Sequence, residues 1–129
     1  MKMINACVAI LLVSVPSVVH IRDAAGRYKI PSAADAAKQC ESKDMRLATR
    51  RELELARQLG YDWCECGWLA DGTVGYPIVT PRDGCGGAST PAGVRTCPVS
   101  PSWWGMSGWD AFCSICKQLL QLMPNFSSI

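Results

Sequence analysis

Eight cysteines stand in a chain of only 129 residues, and this density constrains the fold more than any other feature of the sequence. So many cysteines in so short a chain are typical of a disulfide-stabilised domain that folds in an oxidising compartment. The length corresponds to one domain. Hydrophobic residues make up 49% of the chain and charged residues 19%, which is enough for a buried core and excludes a disordered chain.

The N-terminus has the pattern of a secretory leader. Lys2 precedes an apolar run over residues 8–15 that is too short to span a bilayer, and the small residues around Ser17 suit a signal peptidase. We therefore expect a signal peptide over residues 1–17, removal of Cys7, and secretion. The alternative is a buried strand that begins at Met3. No other apolar run of the sequence is long enough for a transmembrane helix.

Two amphipathic helices are predicted from their capping patterns. Ser32 opens the first with a variant of the capping box, and its apolar face directs Cys40 into the core. Thr49 opens the second and forms a complete Thr-x-x-Glu box with Glu52, while Gly60 is a natural stop signal.

Short apolar and β-branched runs predict strands around these helices, at residues 18–21, 27–30, 45–47, 68–70, 74–79 and 109–113. Residues 80–108 are rich in Gly, Pro and Ser, which predicts loops there. Early helices followed by short strands and long loops favour the α+β class.

Catalytic chemistry has little support in this sequence. The one histidine, His20, lies alone in an apolar run, and no serine has the context of a nucleophile elbow. No Gly-rich phosphate loop follows a strand. The net charge of +2 argues against a nucleic-acid partner. We therefore expect a non-enzymatic protein without a cofactor.

The cysteine spacing also admits a metal site. The pairs Cys64-x-Cys66 and Cys113-x-x-Cys116 could supply four thiolates to zinc, and the second pair also matches a redox motif. Secretion favours disulfides over thiolates. The redox motif needs a pair that opens a helix, whereas this pair ends the last predicted strand. We therefore expect no metal.

Aromatic and basic residues offer a different chemistry. Arg27 and Tyr28 follow a glycine, Tyr76 lies between Gly and Pro, and Trp103 and Trp104 stand in the loop-rich segment. Aromatic rings suit the CH faces of sugars, and arginine suits uronate groups. Composition alone leaves ordinary explanations open, with Tyr76 in the core, Arg27 on a plain surface and the tryptophans in a satellite core.

A series of motifs in order resembles the link module, the hyaluronan-binding domain of cartilage proteoglycans, link proteins and hyaluronan receptors. The motifs are Gly26-Arg27-Tyr28, Arg46-Leu47-Ala48-Thr49, the run YDWCxxGWLADG over residues 61–72, YPIVTPR over 76–82, Cys85-Gly86-Gly87, Gly93-Val94-Arg95 and Trp109-Asp110-Ala111-Phe112-Cys113. The resemblance covers residues 18–113, which is most of the chain.

The resemblance implies a C-type-lectin-like α+β fold with two helices and two small antiparallel sheets. It implies the disulfides Cys40–Cys113 and Cys64–Cys85 and no calcium. We therefore expect a link module over residues 18–116 and a C-terminal tail over residues 117–129. A sequon predicts glycosylation of Asn125 in that tail.

The resemblance also places Arg27, Tyr28 and Tyr76 in a sugar-binding groove. Our hypothesis is that Trp103 and Trp104 extend this groove with aromatic surface.

Cys66 and Cys97 stand where family members line the groove, and two side chains that face one groove from neighbouring strands can come within disulfide reach. We therefore predict a third bridge, Cys66–Cys97, across the groove floor. The competing pair, Cys113–Cys116, would exclude the Cys40–Cys113 disulfide that links the last strand to the first helix. Cys116 is then free or available to link a second chain.

The resemblance thus implies a secreted module that binds hyaluronan or a related glycosaminoglycan in matrix or cell adhesion, with matrix proteins as further partners. The first alternative is a link-like domain that has lost sugar binding and mediates protein–protein interaction. The second is a structural disulfide domain within a larger chain.

Overall fold

The structure is a computed structural model that describes residues 14–100 and 106–118, with side chains for residues 17–100 and 106–115. Several predictions therefore lie outside the described residues. They concern Cys7 and most of the leader, Trp103 and Trp104, Asn125, and the side chain of Cys116.

The two predicted helices are confirmed, and local hydrogen bonds explain where each begins. Helix α1 spans Ala33–Ser42, and the Ser32 side chain accepts a hydrogen bond from the backbone N–H of Asp35. Helix α2 spans Arg50–Gln58 behind a complete capping box between Thr49 and Glu52. Neither helix of the described segments is long and apolar enough to cross a membrane.

Within residues 14–100 and 106–118, six strands form one mixed sheet. They are β1 (Ser14–Ile21), β2 (Arg46–Leu47), β3 (Gly67–Trp68), β4 (Val74–Ile78), β5 (Gly93–Cys97) and β6 (Asp110–Gln118). The strand order is β1-β6-β3-β4-β5, and β2 also pairs with β6.

The expected α+β class is confirmed, but the two antiparallel groups of strands are joined rather than separate. Strands β3 and β6 run parallel, with Gly67 opposite Asp110 and Trp68 opposite Ala111. A Cβ atom at Gly67 would lie 2.6 Å from Cδ2 of Phe112, so only glycine lets the two strands approach this closely.

Three strand predictions need correction. Residues 27–30 form a turn rather than a strand, because Tyr28 has a φ of +58° and only Ile30 forms a bridge, an isolated one to Trp109. Strand β5 lies inside the segment predicted to be loop, where its glycine and the surrounding prolines hid the extended run. Strand β6 continues past Cys113 to Gln118 and enters the predicted tail, so the CxxC motif lies within the strand.

The sheet separates two hydrophobic clusters. Ala111 and Cys113 of β6 pack with helix α1, whereas Phe112 between them packs with Leu53 of helix α2. Because neighbouring residues of a strand point to opposite faces, the two helices cover opposite faces of the sheet.

Three disulfides occur among the described residues, namely Cys40–Cys113, Cys64–Cys85 and Cys66–Cys97. The first two are the pairs that the resemblance implies, and the third is the bridge predicted across the groove. They consume three of the four thiols that the zinc alternative requires, so that alternative is wrong.

Candidate functional site

The turn before helix α1 holds Tyr28 in a fixed and unusual conformation. A positive φ is costly for a residue with a side chain and persists only where the surroundings impose it. The N–H of Tyr28 donates to Oδ1 of Asp110 at 2.8 Å, and its carbonyl accepts from Ser107 and Gly108. These bonds fix the direction in which the tyrosine ring projects.

The Tyr28 side chain is anchored as firmly as its backbone. Its Oη accepts hydrogen bonds from the backbone N–H of Cys66 at 3.2 Å and from the Arg27 guanidinium at 3.3 Å. The ring meets Trp109 edge to face, with 5.0 Å between centroids. Cζ of Arg27 lies 4.5 Å from the Tyr28 ring centroid, which is a cation–π contact. Arg27 and Tyr28 therefore form one partly exposed unit.

The Cys66–Cys97 disulfide connects this unit to Tyr76. Directly opposite residues of antiparallel strands share a face of the sheet, and so do alternate residues of one strand. Cys97 of β5 lies opposite Val74 of β4, and Arg95 of β5 lies opposite Tyr76 of β4. Val74 and Tyr76 are alternate residues of β4. Tyr76 and Arg95 therefore lie on the face of the sheet to which Cys97 directs its sulfur.

Gly86 brings Tyr76 and Arg95 together. A Cβ atom at this glycine would collide with Oη of Tyr76 and with the Arg95 guanidinium, so both side chains lie against the Gly86 backbone. The guanidinium also donates to the carbonyls of Cys85, Thr90 and Pro91. Arg95 thus fixes the loop that follows Cys85. This loop borders Tyr76.

We call the surface formed by Arg27, Tyr28, Tyr76 and Arg95, with the Cys66–Cys97 disulfide between them, the aromatic–basic face. Three of these residues, Arg27, Tyr28 and Tyr76, are predicted site residues, and the bond from Cys66 to Tyr28 and the Cys66–Cys97 disulfide connect the first two to the strand that pairs with Tyr76. The sequence analysis did not single out Arg95 as a site residue. Its position opposite Tyr76 becomes visible only once β5 is recognised as a strand.

A carboxylate next to this face pairs with Arg27 and with a neighbouring arginine, Arg22. Oε2 of Glu65 lies 2.6 Å from Nη2 of Arg22 and 2.7 Å from Nε of Arg27. The other oxygen, Oε1, accepts a hydrogen bond from Nε1 of Trp63 at 3.0 Å. Burial opposes the charged form of Glu65, but the hydrogen bonds from Arg22 and Trp63 outweigh it and lower the pKa of Glu65.

A second carboxylate lies deeper in the same network. Oδ2 of Asp110 is 3.0 Å from Nε2 of His20, and both side chains are almost fully buried. His20, Glu65 and Asp110 offer three potential metal ligands within 4.8 Å of one another. Two guanidinium groups already balance the two carboxylates, however, and this arrangement is that of an ion-pair network. The His20 side chain is thus buried next to Asp110 within this network.

The sequence that builds this site matches one known family. The family model of the extracellular link domain matches residues 17–114. The chain belongs to this family. Link domains are extracellular modules of the hyaluronan- and glycosaminoglycan-binding type rather than enzymes.

Within this link domain, the matched residues include every member of the aromatic–basic face and the whole ion-pair network. Trp103 and Trp104 also fall inside the matched range, but they lie outside the described residues. Their role in the groove stays a prediction.

Proposed function

We propose that this link domain binds hyaluronan, or a closely related glycosaminoglycan, on the aromatic–basic face. The observation that carries the proposal is the Arg27–Tyr28 unit, which presents a cation on an aromatic ring and is connected through Cys66–Cys97 to the strands that carry Tyr76 and Arg95. Uronate-containing sugars combine carboxylates with apolar CH faces, and this surface offers a partner for each.

The geometry assigns a task to each residue. Arg27 is 54% exposed, which lets its guanidinium meet a carboxylate from solvent. The ring planes of Tyr28 and Tyr76 are held by contacts that exist without ligand, so little side-chain entropy is lost on binding. Arg95 positions Tyr76 and the loop after Cys85 rather than serving as a mobile contact.

The test is a calorimetric titration with hyaluronan oligosaccharides. We expect Arg27→Ala, Tyr28→Ala and Tyr76→Ala each to weaken binding by roughly 1–2 kcal/mol, as for exposed residues at the centre of an interface. Arg51→Ala, an exposed arginine on helix α2, is the matched control and should bind like the wild type. Unchanged affinity in both Arg27→Ala and Tyr76→Ala, with near-UV circular dichroism intact, would refute this assignment.

We further propose that Trp103 and Trp104 extend the face. Their position in the chain, between Cys97 of β5 and Trp109 before β6, supports the idea. Single Trp→Phe variants should each lose part of the fluorescence change that oligosaccharide causes in the wild type. If neither variant differs from the wild type, the two tryptophans do not contact the sugar.

The proposal also covers where the protein acts. Membership of an extracellular family and three disulfides support secretion, with a role in matrix or cell adhesion. The signal peptide over residues 1–17 stays a prediction, and N-terminal sequencing of the secreted protein tests it. Cleavage after Ser17 would remove the first four residues of β1, Ser14 to Ser17, which pair with the end of β6.

A second candidate function is docking of a protein partner, and the surface of helix α2 favours it. Leu59 is 80% exposed there, and Leu55 lies beside a shallow cleft lined by Arg50, Arg51, Glu54 and Gln58. This surface includes no member of the aromatic–basic face. A domain that folds correctly but binds no hyaluronan in the titration would favour this second function.

A further inference from the structure

The side chain of Glu65 occupies the position that a ligand carboxylate would need at the aromatic–basic face. One of its oxygens, Oε2, contacts both Arg22 and Arg27 within 2.7 Å. The two arginine side chains are half exposed, whereas the Glu65 side chain is only 13% exposed. The arginines therefore reach solvent, but the carboxylate that pairs with them lies beneath and is held in place.

Glu65 is fixed at both oxygens. Trp63 donates its indole N–H to Oε1, and Nε2 of His20 lies 3.9 Å from the same oxygen. Trp63 in turn packs its ring against His20, with 5.0 Å between centroids. The carboxylate thus cannot turn away from the arginines without giving up contacts on its other side.

A uronate and a glutamate side chain present the same chemical group to a guanidinium. A sugar carboxylate that approaches Arg27 must either displace Glu65 or lie within a few ångströms of a second negative charge. Like charges in such proximity disfavour association and select against the wrong partner.

We propose that Glu65 is an internal competitor for anionic ligands and a specificity-determining residue of this face. It lowers the affinity for uronate by holding Arg22 and Arg27, and it shifts recognition toward the uncharged parts of the sugar and the tyrosine rings. This inference rests on the proposed function, because it names how that same face selects its ligand.

The test compares the wild type with Glu65→Gln in titrations with hyaluronan oligosaccharides. Glutamine keeps the shape and an acceptor for Trp63 but removes the charge. We expect Glu65→Gln to tighten binding about fivefold or more, because a competing charge is gone, and to make the affinity more sensitive to salt.

Two further variants make the comparison specific. Glu54→Gln is the matched control, since Glu54 also pairs with an arginine, Arg57, but on helix α2. It should bind like the wild type. The double variant Arg27→Ala/Glu65→Gln, compared with Arg27→Ala alone, should show a smaller gain, because one of the two freed guanidinium groups is absent. Circular dichroism and thermal unfolding check each fold, and Glu65→Ala replaces Glu65→Gln if the glutamine variant does not fold.

The outcomes separate this inference from the proposed function. If the wild type binds and Glu65→Gln binds no better, the competitor role is wrong while hyaluronan binding stands. If only Glu65→Gln binds, the competitor role is supported and the proposed function of the wild type fails. If neither binds, both fail. A gain of undiminished size in the Arg27→Ala background also overturns the competitor role, since release of Arg27 would then contribute nothing.

Discussion

Nε2 of His20 lies 3.0 Å from Oδ2 of Asp110, and the two side chains are 3% and 0% exposed. The same carboxylate accepts the backbone N–H of Tyr28 through Oδ1. Asp110 is the first residue of β6. This one buried aspartate therefore connects strand β1 to the turn that presents Tyr28.

Asp110→Ala should destabilise the domain by about 3 kcal/mol, because it removes the buried carboxylate next to the His20 imidazole and leaves the Tyr28 N–H without its acceptor. Urea denaturation of the purified domain measures the difference in the free energy of unfolding. Asp83→Ala, which alters an exposed loop carboxylate, is the control and should stay within about 0.5 kcal/mol of the wild type. If Asp110→Ala is as stable as the wild type, the contacts of Asp110 with His20 and Tyr28 do not stabilise the fold.

Asp62 gives a prediction for acid stability. The hydrogen bond from Arg82, with those from the N–H groups of Thr80 and Val79, lowers the pKa of Asp62 from 3.8 to about 2. A carboxyl whose pKa is depressed in the folded state stabilises the fold fully above its unfolded pKa. This contribution is lost as the pH falls from about 4 through about 2.

We therefore expect Asp62→Asn to cost about 1 kcal/mol at neutral pH, a modest value because the group is close to solvent. The cost should shrink as the pH falls toward 2, where the wild-type carboxyl is also protonated. Chemical denaturation at a series of pH values measures it. Arg82→Gln, which removes the main partner, should show a similar but smaller effect. A cost for Asp62→Asn that does not change between pH 5 and pH 2 would be inconsistent with this account.

The sequence predicted the helices and their caps because a cap is a local contact. Ser32 and Asp35, like Thr49 and Glu52, lie three residues apart, and their hydrogen bonds form whenever the chain begins a helix. The fold class followed from the order of elements and from the family motifs.

The turn at Tyr28 and strand β5 could not be predicted from local contacts. The positive φ of Tyr28 is imposed by Asp110, which is 82 residues away in the sequence. Strand β5 is extended because it pairs with β4, and nothing local in a segment rich in Gly and Pro marks that pairing.

Part of the candidate site could likewise be predicted from the sequence, and part could not. The resemblance supplied Arg27, Tyr28 and Tyr76, and the positions of Cys66 and Cys97 predicted their disulfide. The ion pairs of Glu65 with Arg22 and Arg27 depend on the packing of two separate segments, so they required coordinates.

Gly86 and Gly84 offer a matched pair of substitutions. Both have a φ close to +80°, so alanine at either position costs about 1 kcal/mol in backbone strain. A Cβ atom at Gly84 meets open space, whereas one at Gly86 collides with Tyr76 and Arg95. We expect Gly86→Ala to weaken hyaluronan binding about fivefold or more by displacing Tyr76, with Gly84→Ala unaffected. Equal affinities of the two variants, measured by the same titration, would show that the position of Tyr76 does not matter.

The Cys66–Cys97 disulfide should support both stability and binding. It joins two cysteines that are 31 residues apart in the sequence, so Cys66→Ala/Cys97→Ala should lower the free energy of unfolding by about 3.5–4 kcal/mol in the chain-entropy account. The N–H of Cys66 also anchors Oη of Tyr28, and a looser Cys66 should weaken hyaluronan binding. Urea denaturation and oligosaccharide titration measure the two effects on one sample.

The control for Cys66→Ala/Cys97→Ala is Cys40→Ala/Cys113→Ala. It removes the disulfide between helix α1 and β6, whose two cysteines are 73 residues apart in the sequence. Chain entropy predicts a larger loss of stability there, by about 0.5–1 kcal/mol. The hydrogen bonds that hold Tyr28 run to Cys66, Asp110 and the 107–108 backbone rather than to that bridge, so affinity should be retained at a temperature where both variants are folded. If the Cys66/Cys97 variant binds as tightly as the wild type under those conditions, the bridge stabilises the fold without positioning Tyr28.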